Sequence, residues 1–269
     1  MINFIKYQGT GNDFILIDDR HTLHELKTEA IRKLCDRRFG IGADGLIQLR
    51  NSKGYDFEML YFNSDGLPGS MCGNGGRCAI AYAHSLGLIK DSSNFTAFDG
   101  PHEAKIISLN PYVVSLHMND VRDIESNQEF IFMNTGSPHY ISFIDSVNEI
   151  DIVNEGRKIR YNERFKKEGT NVNYVQEKDG ALHVRTYERG VEDETLSCGT
   201  GVTAAVLAAA YSGRNIFSGC LVYTPGGKLT VYFKKNGSGF SDIWLEGKAE
   251  KVFMGEIKLS EPRKEGLKD

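Results

Sequence analysis

Cys72-Gly-Asn-Gly and Cys198-Gly-Thr-Gly each set a thiol where a glycine-rich turn enters a run of helical apolar spacing. Glycines at a helix start let unpaired backbone N–H groups come close to a ligand, and those groups carry partial positive charge. Such a terminus holds a carboxylate or phosphate, and it also favours a thiolate. The helix dipole supplies roughly 0.3–1 kcal/mol, under one pKa unit, so further hydrogen bonds and exclusion of water must supply the rest. Two thiols approaching one carbon from opposite sides form an acid/base pair able to invert a stereocentre without a cofactor. One removes a proton, and the other delivers one to the far face. An amino-acid α-carbon is a very weak acid, so the developing carbanion needs electrostatic stabilisation in a dry site. Two helix N-termini aimed at the α-carboxylate would provide it. The plainer reading of one such motif is close packing around a buried hydrophobic thiol; two related copies favour chemistry.

Other site chemistries fit less well. Gly9-Thr-Gly-Asn-Asp-Phe14 begins like a dinucleotide loop, but Phe14 replaces the third glycine and a strand-like run follows instead of a helix. Gly227-Lys228 is followed by Leu229, which has no hydroxyl for a phosphate-bound metal. His21 and His24 have ligand spacing but no nearby partners, and they read as a solvated loop. Cys35, Cys78 and Cys220 lie in apolar surroundings and read as packing residues. Five cysteines in 269 residues are too few, and odd in number, for a disulfide scaffold.

The elements that must position the two thiols follow from periodicity. Asn3–Asp18 reads as strand, turn, strand, and 28–38 has the i, i+3, i+4 spacing of a helix at Ile31, Leu34 and Cys35. Strand patterns follow at 46–49, 56–62, 105–109 and 113–118, with Asn63-Ser-Asp-Gly66 as a turn. The helix opened by the Cys72 motif carries apolar residues from Cys78 to Leu86, with Gly87 as a C-terminal cap. The second half repeats the plan: Thr135-Gly-Ser-Pro-His139 precedes a strand at 140–144, a strand at 182–187 runs into Glu188-Arg189, and Cys198 opens an Ala-rich helix through about Ala210. Thr10 to Thr135 is 125 residues and Cys72 to Cys198 is 126, which points to an internal duplication dividing the chain near residue 120. The net charge of −4, without a strongly basic segment, argues against nucleic-acid binding. The apolar run 202–211 is half a bilayer span, and the first residues lack a signal-peptide pattern. The expectation is a cytoplasmic globular protein without a membrane partner.

Gly9-Thr-Gly-Asn-Asp-Phe14, Gly40-Ile-Gly-Ala-Asp-Gly45, Phe62-Asn-Ser-Asp-Gly66, Met71-Cys-Gly-Asn-Gly-Gly-Arg77, Tyr187-Glu-Arg-Gly190 and Glu194-Thr-Leu-Ser-Cys-Gly-Thr-Gly201 resemble, in order and nearly throughout the chain, diaminopimelate epimerase. The paired cysteine motifs are shared with proline racemases and phenazine-biosynthesis-type isomerases. The resemblance implies an α+β fold of two pseudo-symmetric domains, each a mainly antiparallel β-roll around a central helix. These would be residues 1–119 with Cys72 and 120–269 with Cys198, the last dozen or so returning to the first. It implies epimerisation of LL-2,6-diaminopimelate to meso-diaminopimelate, without pyridoxal phosphate or metal, for lysine and bacterial peptidoglycan precursors. By position, Cys72 and Cys198 are the acid/base pair, and Gly73, Asn74, Gly199 and Thr200 the carboxylate-binding turns. Asn12, Asn63, Asn171, Glu188 and Arg189 fall at substrate-contacting positions; Arg189 suits a carboxylate and Glu188 an ammonium. His139 falls where the family keeps a histidine near the thiol, to orient or ionise it. Ser137 departs from the family's Gly-Asn-Pro-His, which puts its direct substrate contact in question. A homodimer is compatible with this reading. A racemase for proline, hydroxyproline or an unsaturated acid is an alternative, against which Glu188 and Arg189 argue. So is a non-catalytic switch in which Cys72 and Cys198 form a disulfide.

Overall fold

The computed structural model describes residues 1–21, 24–69, 71–214 and 216–258. Its helices are α1 (Thr28–Cys35), α2 (Gly73–Ser85), α3 (Ile152–Arg160) and α4 (Gly199–Tyr211). α2 and α4 are small-residue helices buried on nearly every side, as a helix without a polar face must be. α1 and α3 are amphipathic and cover the outside, burying Ile31, Leu34 and Cys35, and Ile152 and Gly156, respectively.

Strands wrap each buried helix in the same order. In the first half Ile2–Gly9, Asn12–Asp18, Gly45–Arg50, Glu58–Asn63, Ser92–Ala97, Gly100–Leu109 and Tyr112–Met118 pair successively. In the second half Ile131–Asn134, Pro138–Phe143, Asn171–Lys178, Ala181–Glu188, Cys220–Thr224, Gly227–Asn236 and Gly239–Lys248 do likewise. Each half is antiparallel except at its second-to-third and fourth-to-fifth steps, which are parallel. Parallel neighbours need a crossover. The crossovers are the four helices: α1 and α3 at the first step, α2 and α4 at the second. The duplication read from two offsets is therefore a duplication of the whole topology.

The halves are stitched along an antiparallel seam, Tyr112–Met118 against Gly239–Lys248, with Met118 opposite Ile243 and Val113 opposite Lys248. One continuous core then holds both buried helices, with smaller clusters under α1 and α3. Strand Glu250–Ile257 pairs with Ile2–Gly9, tying the end of the second half to the start of the first. The return expected of the last dozen residues falls, except for Lys258, on 259–269, outside the described residues.

Two local expectations change. The 28–38 helix stops at Cys35 because Asp36 turns extended and caps the following loop through the N–H groups of Arg38 and Phe39. α3 is absent from the sequence expectations although it is amphipathic; its start is set by Asp151, whose side chain accepts the Asn154 N–H at 3.1 Å.

Candidate active site

Cys72 and Cys198 are the N-cap residues of α2 and α4, both in extended backbone (φ −90° and −114°). Neither terminus has a side-chain cap, so the first-turn N–H groups stay available to a ligand. The two termini meet glycine to glycine: a methyl added at Gly199 would lie 3.6 Å from Gly73 Cα and 2.9 Å from Leu245 Cδ2. A single methyl would thus fill the space between the termini, and only a side chain longer than that would wedge the helices apart. Both cysteines line one cleft of about 800 Å³ between the halves.

Burial pushes both thiols up, and the Glu188 carboxylate adds to the effect at each. Opposing it are backbone N–H groups, from Gly75 and Asn74 at Cys72 and from Gly201 at Cys198, with the Thr200 hydroxyl also acting on Cys198. Cys72 keeps partial exposure to the cleft, whereas Cys198 is buried. Cys35, Cys78 and Cys220 are buried elsewhere and pushed up to about 12, 12 and 11.

The predicted residues gather here. Asn12, Asn63, Gly73, Asn74, Ser137, Asn171, Glu188, Arg189, Gly199 and Thr200 all line the cleft with the cysteines. Asn12 is held by Asp44 (2.6 Å to Oδ2), which turns its Oδ1 toward the Cys72 thiol at 3.7 Å. Asn74 is buried and its amide is fully used: Nδ2 donates to Ser197 O across the seam at 3.0 Å, and Oδ1 accepts from Thr10 and Arg77. Its backbone N–H, not its side chain, faces the thiol. Glu188 is raised by burial and then lowered by the Thr195 hydroxyl, which donates at 2.8 Å. The exposed Arg189 anchors one guanidinium nitrogen on Glu168 O at 2.9 Å.

His139 does not reach the cleft. It is fully buried behind Thr200, with Nε2 2.9 Å from Thr200 Oγ1 and 3.0 Å from Ser137 Oγ. Burial, then the Arg189 charge, pushes its pKa down to about 3, so the ring is neutral. Thr200 Oγ1 in turn lies 3.4 Å from Cys198 Sγ. Ser137 thus takes part in a hydroxyl pair beneath the α4 terminus, and its amide donor is Asn171 at 3.0 Å.

Several residues of the site carried no signal of their own. Arg77, fully buried behind the α2 terminus, donates only to neutral acceptors: Gly73 O, Asn74 Oδ1, Thr10 Oγ1 and Lys248 O. Among the described residues no carboxylate lies within ion-pair distance of it. Its place inside the Cys72 motif was the available hint. Asn173 follows Asn171 by two and shares its strand face, a polar alternation with Val172 and Tyr174 on the other face. Ser197 Oγ is the one buried side-chain polar atom without a partner among the described residues, and it adjoins Cys198. His24 pairs with Asp19 at 2.8 Å, and no group of three metal-binding side chains occurs among the described residues.

Comparison with known proteins places this geometry. A sequence profile of the diaminopimelate epimerase family matches residues 4–119 and 131–252. The chain is 49% identical over 250 residues to a diaminopimelate epimerase of Flavobacterium psychrophilum, covering 92% of this chain and 97% of that one. A second, from Chlorobaculum tepidum, is 42% identical over 258 residues, covering 93% and 99%. Among solved structures, a phenazine biosynthesis protein of the PhzF family from Bacillus anthracis superposes with a TM-score of 0.72 at 16% identity, over 96% of this chain and 99% of that one. That last likeness is one of fold.

Proposed function

The chain belongs to the diaminopimelate epimerase family, and from that premise we propose that Cys72 and Cys198 are the two proton-transfer groups of its reaction. The enzyme is an isomerase that epimerises diaminopimelate, a step toward lysine. The observation that carries the two-thiol reading is that two cysteines cap two buried helices whose N-termini abut at one cleft.

LL-2,6-diaminopimelate enters the cleft with the reacting α-carbon between the thiols. Its α-carboxylate takes the N–H groups of Gly73, Asn74, Gly199 and Thr200, which stabilise the charge that builds as the α-proton leaves. One cysteine, as thiolate, removes that proton; the other, as thiol, protonates the opposite face to give meso-diaminopimelate, and the roles exchange in reverse. At the distal end Glu188 receives the ammonium and Arg189 the carboxylate, with Asn12, Asn63 and Asn171 completing the polar wall. The halves 1–119 and 120–269 each contribute one thiol. A homodimer in the cytoplasm completes the proposal, with light scattering as the check on assembly.

Incubation with either isomer in heavy water should place deuterium at the epimerised carbon. Cys72→Ala and Cys198→Ala should each abolish turnover while Cys78→Ala retains it. Epimerisation surviving in either of the first two variants refutes the two-thiol mechanism.

A further inference from the structure

His139 and its neighbours form a hydrogen-bond chain whose direction can be worked out atom by atom. Asn173 Nδ2 lies 3.0 Å from the backbone O of Tyr140, which can only accept, so that amide atom is a donor. Its Oδ1 takes the Thr186 hydroxyl at 2.9 Å. The same Nδ2 lies 3.0 Å from His139 Nδ1, which must therefore accept. The neutral ring consequently carries its proton on Nε2 and donates it forward, to the Thr200 and Ser137 hydroxyls.

The second branch has the same sense. Asn171 Oδ1 accepts the Arg189 backbone N–H at 2.9 Å, so its Nδ2 donates, to Pro138 O and to Ser137 Oγ. Ser137 then has one hydrogen to place. Its hydrogen-bond neighbours are two donors, Asn171 Nδ2 and His139 Nε2, and Thr200 Oγ1 at 3.3 Å. Thr200, supplied from both sides, has its own hydrogen left for Cys198 Sγ at 3.4 Å.

The geometry points to Asn173 as a positioning residue for the reaction: it locks His139 as a neutral Nε2–H donor, so that the Thr200 hydroxyl is held toward Cys198 as a donor to its thiolate. The inference rests on the two-thiol reading above. His139 in this arrangement does not take a proton from Cys198; it orders the hydroxyl that receives the thiolate. Asn173 is buried and is not among the residues that line the cleft. The logic is that of a group which sets a histidine tautomer from behind. Here the ring's partner accepts the ring's proton, so an amide nitrogen takes the place that a carboxylate holds in a base-forming pair.

The test is nitrogen-15 NMR of histidine-labelled protein, with the His139 signals assigned through His139→Gln. At neutral pH, Nδ1 should resonate as an unprotonated and Nε2 as a protonated imidazole nitrogen. Asn173→Asp places acceptors at Nδ1, so the proton should move there, and kcat should fall about 100-fold, the scale of one acid/base positioning effect. The alkylation rate at Cys198 should drop in the same variant, as it should in Thr200→Val, which leaves the ring signals in place. An Nδ1–H tautomer or an imidazolium in the parent protein overturns the proposal. So do unchanged ring signals or unchanged kcat in Asn173→Asp. If that variant does not fold, the parent spectrum and Thr200→Val decide. Turnover surviving in Cys198→Ala would instead sink the two-thiol reading, while the ring signals would still report on Asn173.

Discussion

Gly201→Ala should damage the protein although alanine is the better helix former. At a helix interior the exchange is worth about 1 kcal/mol in favour of alanine. At this position, however, the new methyl would press into Asn173 Oδ1, inside van der Waals contact, and would sit 3.3 Å from both Cys198 Cβ and His139 Cε1. Asn173 cannot simply swing away, because its amide is engaged by Tyr140, His139 and Thr186. Overpacking costs about 1–3 kcal/mol and stranding one buried polar partner adds about 1–3 kcal/mol, so after alanine's advantage of about 1 kcal/mol a net loss of about 1–5 kcal/mol, centred on about 3, is expected. Thermal denaturation should register it as a fall of roughly 10 °C. Because the methyl also crowds Cys198, kcat/KM should fall on the order of 100-fold, the effect of a misplacement near 1 Å. Gly76→Ala in α2 is the control, since the nearest atoms there are the mobile ends of Leu116 (3.0 Å) and Met71 (3.1 Å). It should be close to neutral in denaturation. A Gly201→Ala protein as stable and active as its parent refutes the packing argument.

Three further outcomes follow from burial and charge. Iodoacetamide at pH 8 should modify Cys72 first, with activity lost in step, while Cys35, Cys78 and Cys220 react only on unfolding; peptide mapping that finds any of those three modified at a comparable rate contradicts the assignment. His139 is held down to about 3 from its ordinary 6.5, so the unfolded chain binds the extra proton between those values. Stability should be untouched by this group above 6.5 and fall as pH drops toward 3, by on the order of 4–5 kcal/mol in the limit. His139→Gln should flatten that part of the denaturation-against-pH curve, and an unchanged slope would rule the group out as its source. Ser197→Ala removes the unpaired buried hydroxyl and should hold or raise stability, by about 1 kcal/mol; a clear loss in urea unfolding would mean that the hydroxyl has a partner.

Much of the site was legible because its signals are local. A thiol followed by glycines and then small apolar residues is a helix start wherever it occurs, and both α2 and α4 begin there. Apolar flanks marked Cys35, Cys78 and Cys220 as packing residues, and all three are buried. The same locality hid the side-chain partners of Asn74 and the place of His139. Asn74 reads as part of a carboxylate-binding turn, a backbone role; that its side-chain amide is taken up by Ser197, Thr10 and Arg77 is seen only in the fold. His139 reads as a neighbour of the thiol, yet it stands one hydroxyl behind it.

The chain's residue types and spacings by themselves determined the duplicated plan and the two thiol-bearing helix starts; the polar residues for a two-ended substrate came from the family resemblance. These depend on backbone geometry over a few residues and on a repeat at fixed offset. Only the tertiary structure decided that the two helix starts meet, because that contact depends on the seam between strands more than a hundred residues apart in sequence. It also decided which side chains stand behind Cys198. His139 stands opposite Asn171 in a parallel strand pair, and one step of register would move the amides of Asn171 and Asn173 to the other face. Register is a property of paired strands, so no single stretch of sequence contains it.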